Sequence, residues 1–154
     1  SFKAGMQNLK NINLIDLLNN EIIVKKKMFL GICLGMQLIA SKSSEDGETK
    51  GLNWIKGEVI KIPDNLNVKI PHMGWNEVNF SKNILYDKIR KNSSFYFVHS
   101  YHLVPQNKSV ISGTCKHGSI LTASIEKENI FATQFHPEKS HDVGSLLLKN
   151  FINT

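Results

Sequence analysis

Cysteine is scarce in this sequence. Two residues, Cys33 and Cys115, in a chain of 154 do not make a disulfide framework. The N-terminus lacks the basic, apolar and cleavage-site pattern of a secretory signal, so a reducing cytoplasm is the expected compartment. Long apolar runs are also lacking. No stretch of about 18 apolar residues occurs, and no membrane-spanning helix is expected. None of the six histidines falls in an HExxH or paired Cys/His pattern, so no metal site is expected. A phosphate-cradling glycine loop and a dinucleotide fingerprint are missing too, and we expect no cofactor. The formal charge is +6, but the lysines are dispersed. Their densest run, Lys25-Lys26-Lys27, reads as a solvated turn and not as a nucleic-acid patch.

What is present is an ordinary globular composition, 41% hydrophobic and 21% charged, with no repeat, low-complexity tract or linker. One domain spanning residues 1–154 is expected. Apolar residues at Phe2, Met6, Leu9, Ile12 and Leu18 predict an amphipathic helix ending near Asn19-Asn20. Met28 to Ile32 predicts a short buried strand, Leu34 to Ala40 a helix, and Ser41 to Gly51 a loop. Strand patterns follow at Gly57–Ile62, Val68–Pro71, Asn76–Phe80, Phe95–Val98, Val110–Cys115, Ile120–Ile125 and Ile130–Phe135, and a closing helix at Gly144–Ile152. The sum is an α/β domain with strands crowding its second half. An α/β domain normally places a strand before its first helix, so an N-terminal segment is expected to precede Ser1.

The chemistry-bearing pattern is strand, Gly31-Ile32-Cys33-Leu34-Gly35, helix. It has the form of a nucleophile elbow with Cys in place of Ser. The two glycines are expected to remove Cβ atoms that would clash where the turn doubles back. The thiol would stand at a helix N-terminus, whose partial positive charge favours thiolate. The Leu34 N–H would face a developing oxyanion. Taken alone, Cys33 reads equally as a small core residue beside packing glycines. A second segment, Gln134-Phe135-His136-Pro137-Glu138, supplies what a Cys nucleophile needs. Pro137 biases His136 to extended backbone, where residues two apart share a side, so Glu138 can orient the imidazole. The cluster Pro71-His72-Met73-Gly74-Trp75-Asn76 reads either as an exposed interface or as a core Trp beside a turn.

Together with Tyr96-Phe97-Val98-His99-Ser100-Tyr101, these segments make the chain resemble class I, triad-type glutamine amidotransferases. Within them it is most similar to the glutaminase subunits of imidazole glycerol phosphate synthase in histidine biosynthesis. The resemblance covers essentially the whole chain. It implies an open, mainly parallel sheet flanked by helices with an antiparallel extension, a flavodoxin-like arrangement. It implies a Cys33–His136–Glu138 triad, with Leu34 at the oxyanion and Gly35, Gln37, His99, Ser100 and Tyr101 along the substrate glutamine. It also implies a heterodimer with a (β/α)8 cyclase subunit that receives ammonia, with Met73, Trp75, Asn76, Tyr96 and Lys139 at the interface. The family carries a further N-terminal segment of about 40 to 50 residues, including the glycine-rich loop that completes the oxyanion hole. Two rival readings remain: a paralogue feeding ammonia to another acceptor, such as a surface sugar, and a non-catalytic docking module.

Overall fold

In a computed structural model, residues 1–81 and 83–154 are described. Ser1 caps the first helix, α1 (Phe2–Asn11), its hydroxyl accepting from the Ala4 N–H. Phe2 and Met6, one turn apart, point inward and are buried; removing them from water stabilises the docked helix by roughly 1.5–3 kcal/mol each. The predicted single helix is broken. Asn13 adopts a left-handed conformation (φ 53°), which asparagine tolerates better than most residues, and a second helix, α2 (Leu14–Leu18), starts there. It runs on as a π-helical segment, Asn19–Val24.

Strand β1 (Phe29–Ile32) leads through Cys33 into α3 (Leu34–Leu38). The segment 41–51, expected as loop, instead holds β2 (Ala40–Ser43) and β3 (Thr49–Lys50). Its polar residues disguise it, because its strand character comes from pairing with β4 and not from an apolar pattern. Next come β4 (Ile55–Lys61), β5 (His72–Glu77), β6 (Asn79–Phe80), β7 (Ser94–His99) and β8 (Tyr101–Pro105). Residues 68–71, predicted as strand, pair with nothing in a sheet. Apolar content there reflects the approach to β5, while a further unanticipated strand, β8, carries His102 and ends at a proline. The chain finishes with β9 (Ile111–His117), β10 (Ser119–Lys127), β11 (Ile130–Thr133) and α4 (His141–Ile152).

The expected α/β architecture is present, and its sheets are mixed. One has the order β1-β11-β10-β9-β6, a second β3-β2-β4-β8, and β5 pairs with β7. Parallel pairing occurs between β1 and β11 and between β2 and β4; the other described pairs are antiparallel. The reason is chain connectivity: β9, β10 and β11 follow one another through short turns, which antiparallel strands allow and parallel ones do not.

The long sheet separates two cores. Along β11, Ile130 and Ala132 join the core of Phe2, Met36, Ile39 and Val59, while Phe131 joins that of Phe95, Phe97, Phe135 and Leu147. Both faces of β11 are covered, hence its unbroken apolar run. A register irregularity near Ser124 turns Ile125 to the opposite core from Leu121 and Ala123. The parallel pair β1–β11 ends, on its carboxyl side, at Cys33 and at Gln134 to His136.

Candidate active site

Cys33 sits at φ 50°, ψ −103°, a strained backbone for a side chain and the hallmark of an elbow. Its N–H donates to the Thr133 carbonyl at 2.7 Å, continuing the parallel ladder for one residue before the turn. Gly31 is required: a Cβ there would meet the Gly35 backbone at 2.8 Å. Gly35 differs from expectation. A Cβ at Gly35 would meet nothing within 4 Å, so its bare face borders open space and not the doubled-back turn.

The thiol also departs from expectation. Burial pushes it up from its ordinary value. The Leu34 N–H and the Gln134 side-chain amide pull the other way, as does the Lys139 ammonium, while the Glu138 carboxylate adds to the rise. A five-residue helix and two donors do not offset the lost water. Cys33 therefore rests as a thiol, and a base is needed to make it a nucleophile.

The parallel register brings a candidate for that role, His136, to the same end of the sheet. Ile32 pairs with Thr133, so Gln134 and His136 follow directly beyond the elbow. The Nδ1 of His136 lies 2.6 Å from Glu138 Oε1, as extended backbone before Pro137 suggests. Its Nε2 is buried with no partner among the described residues. The peptide is pinned as well: the His136 N–H donates to the Tyr96 carbonyl and the Ser140 hydroxyl to the His136 carbonyl.

Gln134 was not anticipated. It is fully buried, and its Nε2 approaches Cys33 Sγ at 3.6 Å. Its Oε1 accepts from Gln37 Nε2 at 3.2 Å, and the same Gln37 nitrogen donates to the Tyr101 carbonyl at 3.0 Å. Both Gln37 N–H donors are thus engaged inside the protein, which leaves its oxygen for a ligand. A sequence signal was available: Gln134 stands two residues before His136, the same spacing that was used to place Glu138. His99 is buried, bonded to Tyr101 and His72; Ser100 and Tyr101 are half-buried beside it.

Of the two readings of the 71–76 cluster, the structure removes the core Trp. Met73 and Trp75 are 62% and 48% exposed on β5. Trp75 lies opposite Tyr96 and stacks on His141, with Lys139 exposed nearby in sequence. Asn76 shares the strand, but its amide is turned inward to His72 and the Lys116 carbonyl. Among the described residues no cluster of three or more metal-ligating side chains occurs, and no helix is long and apolar enough to cross a membrane.

The family profile of class-I glutamine amidotransferases matches residues 5–154. The chain belongs to that family. A Campylobacter jejuni protein named imidazole glycerol phosphate synthase subunit HisH 1 is 49% identical over 153 residues, covering 99% of this chain and 76% of the relative. The Pelagibacter ubique subunit HisH is 48% identical over 156 residues, covering 99% and 75%. Among solved structures, a glutamine amidotransferase aligns at TM-score 0.67 over 93% of this chain and 70% of its own, with 13% identity. Another glutamine amidotransferase, from Thermotoga maritima, aligns at 0.59 over 94% and 53%, with 18% identity. Those structural likenesses establish the amidotransferase fold.

Proposed function

We propose that this chain is the glutaminase subunit of an imidazole glycerol phosphate synthase, working in the cytoplasm. The observation that carries the chemistry is a strained Cys33 at the same end of the β1–β11 pair as His136, whose Nε2 is buried without a partner among the described residues and whose Nδ1 is held by Glu138. His136 takes the Cys33 proton as sulfur attacks the side-chain amide carbon of glutamine. The oxyanion forms near the Leu34 N–H. His136 returns the proton to the departing nitrogen, ammonia leaves, and a thioester remains. Water then attacks, its proton passing to His136, and glutamate is released with the thiol restored. Glu138 orients the imidazole and balances its transient charge. The open side of Gly35, the Gln37 oxygen and the Ser100–Tyr101 backbone line the place for glutamine, with His99 behind them.

Ammonia protonated in bulk water is no nucleophile, so it must pass directly to a synthase partner. The exposed Met73 and Trp75, with Tyr96 and Lys139, are the docking face for a (β/α)8 cyclase subunit that makes imidazole glycerol phosphate and the aminoimidazole carboxamide ribonucleotide. The reading is supported by the identity to subunits bearing that name. The test is glutamine-dependent ammonia release by the full-length protein with its cyclase partner, wild type against Cys33→Ser. Equal rates remove the catalytic assignment. Complementation of a histidine auxotroph by the full-length gene separates the synthase from a paralogue serving another acceptor, which would release ammonia yet fail to complement.

A further inference from the structure

A chain of hydrogen bonds runs from the exposed ribbon to the thiol. Asn76 Nδ2 lies 3.0 Å from His72 Nε2, His72 Nδ1 lies 2.8 Å from His99 Nε2, and His99 Nδ1 lies 2.8 Å from the Tyr101 carbonyl. That carbonyl also receives the Gln37 amide, which reaches Gln134, which reaches Cys33. The two ends fix every proton between them. A carbonyl oxygen only accepts, so His99 Nδ1 carries hydrogen. An amide nitrogen only donates, so His72 Nε2 is bare. The remaining bond is then satisfied in one sense alone, His72 Nδ1–H to His99 Nε2. Both rings are neutral in this arrangement.

We propose that Asn76, His72 and His99 form a hydrogen-bond relay of fixed direction that positions Gln37 and Gln134 against the Cys33 thiol from the strand whose other face carries Met73 and Trp75. His72 and His99 are then positioning residues, acting through the Tyr101 carbonyl. The proposal rests on Cys33 being the reactive thiol. Packing holds the rings: His72 is stacked between Phe97, at 4.6 Å between centroids, and His117, at 4.1 Å. His117 is itself bonded to the Lys69 carbonyl. The ring charges that act on the pair come from His117, His102 and His136. Burial holds both members neutral, His72 at about 3 and His99 at about 4, in keeping with the single proton order read from the geometry. On β5, Asn76 is one residue from Trp75 and on the opposite side of the strand. A partner pressing on Met73 and Trp75 therefore acts on the strand that carries the head of the relay.

The experiment uses the full-length protein in complex with its synthase partner, labelled with ¹⁵N-histidine. Nitrogen spectra at neutral pH are expected to show both His72 and His99 protonated at Nδ1 and bare at Nε2. Asn76→Asp is isosteric but cannot donate. It should change the His72 signature and slow alkylation of Cys33 by iodoacetamide about fivefold to tenfold, the loss of one hydrogen bond at the sulfur. His72→Gln can accept at one end and donate at the other, so it should stay within about twofold of wild type. His72→Leu should slow alkylation as Asn76→Asp does. Cys115 in the same digest reports unfolding. Should Asn76→Asp expose it, the Gln and Leu variants at position 72 decide the question by their difference. A different tautomer in the wild type overturns the proposal, as does a changed His72 signature with Cys33 alkylation within about twofold of wild type. If the relay behaves as expected while wild type releases no ammonia from glutamine, the glutaminase reading fails and the relay stands.

Discussion

The two cysteines occupy regions built to opposite ends. Cys115 lies in β9, buried among Leu121, Phe95 and Phe97, and burial alone pushes its thiol up to about 12. Cys33 is also raised by burial, but it stands at a turn where an N–H, an amide and a lysine act against that rise. Both thiols are protonated at neutral pH. What separates them is the surroundings: an imidazole nitrogen left unpaired among the described residues on the segment that follows β11, against the apolar side chains packed round Cys115. In the proposed glutaminase, reactivity would come from a base placed by strand register more than from a low thiol pKa.

The largest effect that tests this contrast is loss of the nucleophile or its base. Cys33→Ala and His136→Ala should each lower glutamine-dependent ammonia release by at least about 1000-fold, measured in the full-length complex. Cys115→Ala should leave the rate within about twofold. Next in size is the elbow backbone. Gly31→Ala forces its Cβ against Gly35 and should cost about 1–3 kcal/mol, read as a lower midpoint in thermal unfolding. Gly35→Ala meets open space and should leave the midpoint nearly unchanged while raising KM for glutamine. The opposite ranking would break the assignment of open space beside Gly35.

Two pH effects are smaller. Thiolate is the alkylated form, so Cys33 labelling should keep rising as pH passes 9, and Cys115 should remain slower throughout that range. For the buried histidines the sign runs the other way. His72, His99 and His102 are depressed to about 3, 4 and 4. Their neutral forms favour the folded state fully above about 6.5, and that contribution fades as pH falls towards 4. Thermal midpoints should therefore drop over this acid window. His102, whose Nδ1 is buried without a partner, gives a direct check: replacing it with Gln should flatten the acid limb.

The elbow and the His136-Pro137-Glu138 segment were legible because each is local. A strand, a glycine-flanked cysteine and a helix need only a few consecutive residues to declare themselves, and proline restricts its neighbour whatever surrounds it. Boundaries were less legible where local preference was weak. Asn13 broke a helix whose apolar spacing continued past it, and β2 and β3 lay in a polar stretch whose strand character comes from pairing with β4. The thiol's direction of shift was misread from sequence because helix position is local, whereas burial is set by the whole fold.

The sequence by itself determined the α/β class, the elbow and the His136–Glu138 pair, which follow from short-range spacing, and its motifs carried the amidotransferase resemblance. The tertiary structure alone decided the environment of the sulfur. Gln134 meets Cys33 across 101 positions, Gln37 meets the Tyr101 carbonyl across 64, and His72 meets His99 across 27. Hydrogen bonds between residues so far apart exist only after strands from distant parts of the chain have set their register. The partners that surround the Cys33 sulfur are therefore a property of the folded sheets.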